Sequence, residues 1–371
     1  VSQRQGQMAE AAAAQAAGEA ADTMDVEGGA APTEITEAVI GELTALGKQL
    51  SKGRKKRPTP EGLASEADIG EYSEQGSATP HSSVKQGISC VDMHPADKTI
   101  TLTGGLDKSA IVFNHTTNKV VAELKGHSKK LTSVKFHPDA SRDVILTTSA
   151  DKTAKIWSKS GKGYAESATI TAHTAEVTGV SVHPTGAYAA TVGMDAAWTF
   201  NSLETGACLK RVSDDKAPGG FTCVKFHPDG LILGMGTDDN MVRIWDMKTQ
   251  SLVHSFEGHT KKVTALDFSE NGYYMGSTSE DGTARLWDLR KLKNVKTLEL
   301  GSSATSISFD HSGTYFCAAA GKDITVGVIK AWTPLATLSG HSKDATGVCF
   351  SPDATSVVST GMDRAVKFWG K

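Results

Sequence analysis

Two groups of residues in this chain are of the types that carry hydrolytic chemistry. They are His127, Ser149 and Asp151 with Trp157, and His259, Ser279 and Asp281 with Trp287. A serine, a histidine and an aspartate in mutual reach can serve as nucleophile, general base and orienting carboxylate. Two features argue for structure instead. The group recurs with a tryptophan six residues after each Asp, and no Gly-x-Ser-x-Gly turn presents either serine. The expected arrangement is a buried polar set in which Asp accepts from His, His reaches a hydroxyl, and the hydroxyl lies near the indole N–H. No catalytic residue is assigned.

Metal chemistry is equally unsupported by spacing. Among the twelve histidines, His94, His137, His183 and His227 occupy equivalent places in successive units, which holds them apart. The five cysteines, Cys90, Cys208, Cys223, Cys317 and Cys349, form no C-x-x-C pair and are odd in number. A reducing compartment follows, with no metal and no cofactor. A net charge of -3 is too small to imply a global nucleic-acid or membrane partner. No run approaches the ~20 apolar residues of a membrane helix.

The elements that hold these groups show a period. Residues ending one strand type, Met93, Phe136, Val182, Phe226, Phe268, Phe309 and Phe350, are spaced by 43, 46, 44, 42, 41 and 41. A second ladder of turn aspartates, Asp107, Asp151, Asp195, Asp239, Asp281, Asp323 and Asp363, runs in step. Most are followed six residues later by an aromatic (Phe113, Trp157, Trp245, Trp287, Trp369); Ile329 takes that place in the sixth unit. Gly-His or Ala-His pairs precede four units, at His127, His173, His259 and His341. This resembles the G-H…W-D pattern of WD-repeat proteins, so the expected fold is all-β, a seven-bladed WD40 β-propeller with four strands per blade over residues 72–371. The last unit ends on a third strand, so its outer strand is expected from the segment 72–84, closing the ring and removing exposed edges.

Residues 1–71 read as a largely disordered linker. One short helix is expected over 33–50, where Ile35, Val39, Ile40, Leu43, Leu46 and Leu50 recur at helical spacing. Gly41 and Gly47 weaken it by about 1 kcal/mol each relative to Ala. The basic cluster 52–57, with Arg54, Lys55, Lys56 and Arg57, fits a nuclear import signal, the alternative being an ordinary solvated charge run. The chain begins at Val1, not at Met, which reads as a piece of a longer protein.

Stretches such as Phe226-His227-Pro228-Asp229-Gly230, Phe268 to Tyr274, Trp287 to Asn294 and Ser359 to Arg364 resemble the pre-mRNA-processing factor 19 family, over the whole propeller and back through Arg54–Arg57. The resemblance implies a nuclear, spliceosome-associated protein scaffold. At full length it implies a ubiquitin-protein ligase with an N-terminal U-box, ubiquitination substrates, and a coiled coil through which it oligomerises. Residues 1–50 carry neither a U-box nor sustained heptads, so transfer chemistry and oligomer formation are assigned to no residue here. The alternative is a WD-repeat scaffold of an unrelated signalling or chromatin complex.

The expected partner surface is the face bearing the His loops and Asp turns. Lys108, Lys129, Lys130, Lys152, Lys261, Lys262, Lys343 and Arg364 fall there, while Asp238, Asp239, Glu280 and Asp281 mark an acidic sector in the fourth and fifth units. An acidic protein segment is the expected ligand, with RNA backbone the lesser alternative and no membrane partner.

Overall fold

The computed structural model describes residues 35–54, 60–81, 87–161 and 163–371. Lys55, Lys56, Arg57 and the expected disorder of residues 1–34 lie outside them.

Seven four-stranded antiparallel sheets follow one another along the chain, each with its strands in sequence order except the last. Each blade's second strand is buried along nearly its whole length, as in Val144–Ser149, Ile232–Thr237 and Tyr274–Ser279. These strands are covered on both faces by neighbouring blades, so small and β-branched residues replace the usual polar alternation. Fourth strands such as Lys119–Lys125 expose most of their side chains.

The ring is closed twice over. The strand Ser73–Ala78 pairs antiparallel with Val366–Gly370, from Ser73 opposite Gly370 to Ala78 opposite Val366, and becomes the outer strand of blade seven. Lys367 clamps it through both oxygens of Glu74 at 2.7 Å. At the centre, one hydroxyl on each inner strand donates to a backbone carbonyl of the next blade. Ser89 reaches Leu131, and Thr132, Thr178, Thr222, Thr264 and Thr305 continue the series at 2.5–2.9 Å. Thr346 closes it onto Ile88 at 2.6 Å. These seven residues stand four positions before the Met93–Phe350 ladder, so the same period that reveals the blades also places the bonds that join them.

The expected helix forms as α1, Glu37–Arg54. It starts later than residue 33, where the Thr36 hydroxyl accepts from the Val39 N–H, and it runs four residues further than expected. Ile35 and Leu43 are buried in one core with Phe200, Phe226 and Met247 of the propeller, and Val39 and Ile40 pack beside them. Gly47 explains itself here: a Cβ would lie 2.7 Å from the Leu231 side chain. A second helix absent from the expectation, α2 (Glu66–Gly70), is opened by a Ser65–Asp68 capping box. Ala64, Ile69 and Tyr72 join the core of blades six and seven. Tyr315 donates to the Ala64 carbonyl at 2.8 Å, and Tyr72 donates to that of Ala354. Ile35 and Leu43 of the α1 region and Ala64 and Ile69 around α2 thus pack into the propeller although they precede residue 72.

Candidate functional site

On the upper face, each His loop leads from one blade's outer strand into the next, and each Asp turn joins a second strand to a third. In blade two, His127 Nδ1 lies 2.8 Å from Asp151 Oδ2, and the Ser128 N–H donates to the same oxygen at 2.9 Å. The residue after the turn Asp has a left-handed backbone, with φ of 73° at Lys108, 75° at Lys152 and 70° at Arg364. That conformation turns their side chains out of the blade and costs roughly 1–2 kcal/mol.

The hydroxyl linking histidine to tryptophan is not the one expected. Thr147, not Ser149, lies 2.8 Å from His127 Nε2 and accepts from Trp157 Nε1 at 2.8 Å. Ser277, not Ser279, does so for His259 and Trp287, at 2.8 Å each. The reason is strand alternation: residues two apart share a face, and only the one ten before the tryptophan lies beside its indole. Ser149 and Ser279 instead bind the entering loop, donating to the carbonyls of Lys130 and Lys261 at 2.8 Å and accepting from the N–H of Asp151 and Asp281 at 3.1 Å.

The contacts fit one direction of donation. Indole N–H gives to hydroxyl, hydroxyl to His Nε2, and His Nδ1–H to carboxylate, which requires a neutral histidine. Burial lowers the pKa of His127, His259 and His341 despite the adjacent carboxylates. Burial also pushes Asp151 and Asp281 up. Hydrogen bonds from Thr153, the Ser128 N–H and His127, and from their counterparts around Asp281, outweigh it and leave both at about 2. Thr147, Ser277 and Ser359 are 0% exposed, so no substrate carbonyl can reach these hydroxyls. The sets are interior struts.

Three further blades carry such sets. Blade seven is complete in His341, Ser359, Asp363 and Trp369. Blade three has His173, Thr191 and Asp195, with Asn201 where the tryptophan would stand. Blade one uses His81, which bonds Asp107 at 3.1 Å and Thr103 at 2.9 Å. No Gly-His pair flags it, and it stands seven residues before its inner strand where the others stand four. Blade four replaces the pair by a buried ion network, with Arg243 held between Asp214 and Asp239. In blade six Asp323 is the first residue of a strand, not a turn residue, because the turn there is only Gly321-Lys322. The Gly of Gly-His also has a cause: a Cβ on Gly126 or Gly340 would stand 3.0 or 2.9 Å from the tryptophan below it.

On the lower face, His137, His183 and His227 each reach the next blade's turn, at the carbonyls of Gly186, Gly230 and Gly272, 2.8–3.1 Å away. They are inter-blade ties. Among the described residues, no group of three or more His, Cys, Asp or Glu could hold a metal ion, and no helix is long and apolar enough to cross a membrane. All five cysteines are free, and burial pushes the Cys90 and Cys223 thiols to about 11 and Cys349 to about 12.

Of the expected partner residues, Lys108, Lys129, Lys130, Lys152, Lys261 and Lys343 are exposed, and Lys262 and Arg364 half-buried. Lys130 contacts Glu176 at 3.0 Å. The acidic sector is weaker than its sequence suggests, since Lys262 approaches Asp238 at 3.6 Å and Arg243 binds Asp239 at 2.8 Å. Blades seven, one and two keep the basic character through Lys108, Lys129, Lys152 and Arg364.

The family described as the Prp19 WD40 domain matches residues 80–363. Pre-mRNA-processing factor 19 of Mus musculus is 43% identical over 340 residues, covering 90% of this chain and 66% of its own length. The Homo sapiens protein of that name is 40% identical over 340 residues, covering 90% and 66%. Pre-mRNA-processing factor 19 homolog 2 of Arabidopsis thaliana is 44% identical over 345 residues, covering 91% and 64%. The chain spans just under two thirds of the length of these relatives. With seven blades, internal polar sets and a match across most of its propeller, the chain belongs to the Prp19 WD40 domain family.

Proposed function

We propose that this chain is the protein-docking scaffold of a nuclear pre-mRNA-processing factor, capturing members of a splicing complex on the upper face of its propeller. The observation that carries the reading is the family match over residues 80–363, laid on a ring whose serine, histidine and aspartate sets are sealed inside the blades. Such a ring offers surface and no reaction centre. In a longer ubiquitin ligase it would hold substrates while transfer chemistry resides outside these residues.

Within the upper face, the sector of Lys108, Lys129, Lys130, Lys152, Lys343 and Arg364, flanked by Lys261 and Lys262, is the docking surface for an acidic protein segment. Exposed single charges contribute little each, so the effect comes from several converging on one patch. Arg54, Lys55, Lys56 and Arg57 are the proposed nuclear import signal.

The test is capture from nuclear extract on the immobilised 371-residue chain, read by quantitative mass spectrometry. Enrichment of pre-mRNA-processing proteins is the expected result. Enrichment of signalling or chromatin complexes without splicing proteins would overturn the assignment.

A further inference from the structure

Thr79 lies at the seam of the ring, directly after the closing strand. That strand ends with Ala78 opposite Val366, and His81 then binds Asp107 at 3.1 Å and Thr103 at 2.9 Å. Thr79 and Pro80 are the whole connection between blade seven's outer strand and blade one's strut. A residue before proline is confined to extended conformations, the form in which protein kinases take their substrates. Four Ser-Pro or Thr-Pro pairs occur in the chain, at Thr59, Thr79, Thr333 and Ser351. Ser351 is 0% exposed and its hydroxyl donates to Asp353 at 2.7 Å. Thr333 is paired with Val328 inside a sheet, and Thr59 lies outside the described residues. Thr79 is exposed, belongs to no strand, and follows an edge strand whose outer side is open.

The surroundings of Thr79 suit a phosphate. It borders a cavity of about 480 Å³ between the closing strand and blade one, which adjoins a second of about 600 Å³; Ser77, Ala78, Phe113 and Asn118 stand in the walls of both. No Asp or Glu lines either cavity among the described residues. Lys119, next to Asn118, is exposed and has no ion pair among the described residues. A phosphothreonine brings about −1.5 to −2 charge and three strong acceptor oxygens at neutral pH, which amide and ammonium donors satisfy.

We propose that Thr79 is a phosphorylation site for a proline-directed protein kinase, and that its phosphate is held by the Asn118 amide and the Lys119 ammonium, which tightens the closure of the ring. The Thr79 hydroxyl oxygen takes the γ-phosphoryl group of ATP, the bond to the β-phosphate breaks, ADP leaves, and the hydroxyl proton passes to the kinase's base. Because blade seven's outer strand comes from another part of the chain, a bond made just beyond Ala78 acts on the whole ring. The site depends on neither the upper-face docking surface nor the import signal.

The full chain is incubated with an active mitogen-activated protein kinase, magnesium and ATP, and phosphate is located by peptide mass spectrometry. Thr79 is expected to carry it at an occupancy at least about tenfold above Thr333 and Ser351, which react only through local opening. Phosphorylation should raise the melting temperature by about 1–3 °C through the new charge-assisted bonds and slow hydrogen exchange across residues 73–78. Thr79→Val, treated alike, should show neither change, whatever phosphate Thr59 takes. The double change Asn118→Asp and Lys119→Glu is at the surface and should move the melting of the unmodified chain by about 1 °C or less. Once phosphorylated it should melt below its unmodified form, because the phosphate then faces carboxylates. The proposal is overturned by absence of phosphate on Thr79, by equal occupancy of Thr333 or Ser351, by an unchanged or lowered melting temperature or unslowed exchange on phosphorylation, or by a rise that survives in Thr79→Val or in the Asn118/Lys119 variant.

Discussion

Replacing Ser277 by alanine removes one oxygen that serves two buried partners. Its Oγ accepts from Trp287 Nε1 at 2.8 Å and lies 2.8 Å from His259 Nε2. Ser277 is 0% exposed, Trp287 1% and His259 6%, so solvent does not replace the lost bonds. Leaving a buried donor or acceptor unsatisfied costs about 1–3 kcal/mol. Two such groups in one network do not add fully, which gives roughly 2–4 kcal/mol for Ser277→Ala. Ser279→Ala should cost about 1 kcal/mol, because its partners, the Lys261 carbonyl and the Asp281 N–H, lie beside exposed Lys261 and Glu280, where water substitutes. Ser277→Thr should stay near wild type, since Thr147 fills the same role in blade two. Equilibrium urea unfolding followed by tryptophan fluorescence gives the three values. A Ser277→Ala loss under about 0.5 kcal/mol, or one smaller than that of Ser279→Ala, would refute the reasoning.

Stability should fall steadily on acidification. His127, His259 and His341 are depressed below 6.5, so the unfolded chain takes up their protons first and stability drops once pH passes below about 6.5. Asp151 and Asp281, lowered from 3.8 to about 2, contribute stability that is present above about 4 and lost as pH falls toward 2. A urea midpoint that is flat or rising as pH falls from about 7.5 to 4 contradicts the histidine reading, and one that is flat from about 4 to 2 contradicts the aspartate reading. Gly47→Val should force α1 off Leu231, seen as faster hydrogen exchange across residues 37–54 with the blades unchanged; unchanged exchange in the helix contradicts the close packing. Removing residues 1–60 should lower the melting temperature modestly through loss of Ile35 and Leu43 from the core. Removing 1–86 should lower it sharply by taking the closing strand, and equal melting of the two would contradict the closure.

The blades were legible because each repeat must supply the same residues at the same depth, and periodicity survives loss of individual members. The closing strand was legible for a related reason: the seventh unit shows three strands where the others show four, and Ser73–Ala78 pairs with Val366–Gly370 to supply the fourth. The linking hydroxyl was misplaced because Thr147 and Ser149, like Ser277 and Ser279, point to one face, and only packing against the tryptophan tells them apart. His81 escaped because its loop is longer and lacks the preceding glycine. Blade four's substitute, Asp214 and Arg243, cannot be found by looking for histidine at all. The inner ring of hydroxyls could have been found, since Ser89 through Thr346 repeat the blade intervals; serine and threonine are too common in strands to draw notice unless aligned. The packing of α1 and α2 depends on which propeller surfaces are apolar, and that is set by residues distant in sequence.

The most direct test of the scaffold reading is the affinity of the full chain for partners captured from nuclear extract, before and after changing Lys129, Lys130, Lys152 and Arg364 together to Glu. Because these side chains lie at the surface, the variant should melt within a few degrees of wild type, at about 0.5 kcal/mol or less per site. Capture of splicing proteins should weaken at least about tenfold, and wild-type capture should fade between about 0.05 and 0.5 M salt as screening shortens. Undiminished capture by a folded variant at low salt would contradict docking on the upper face.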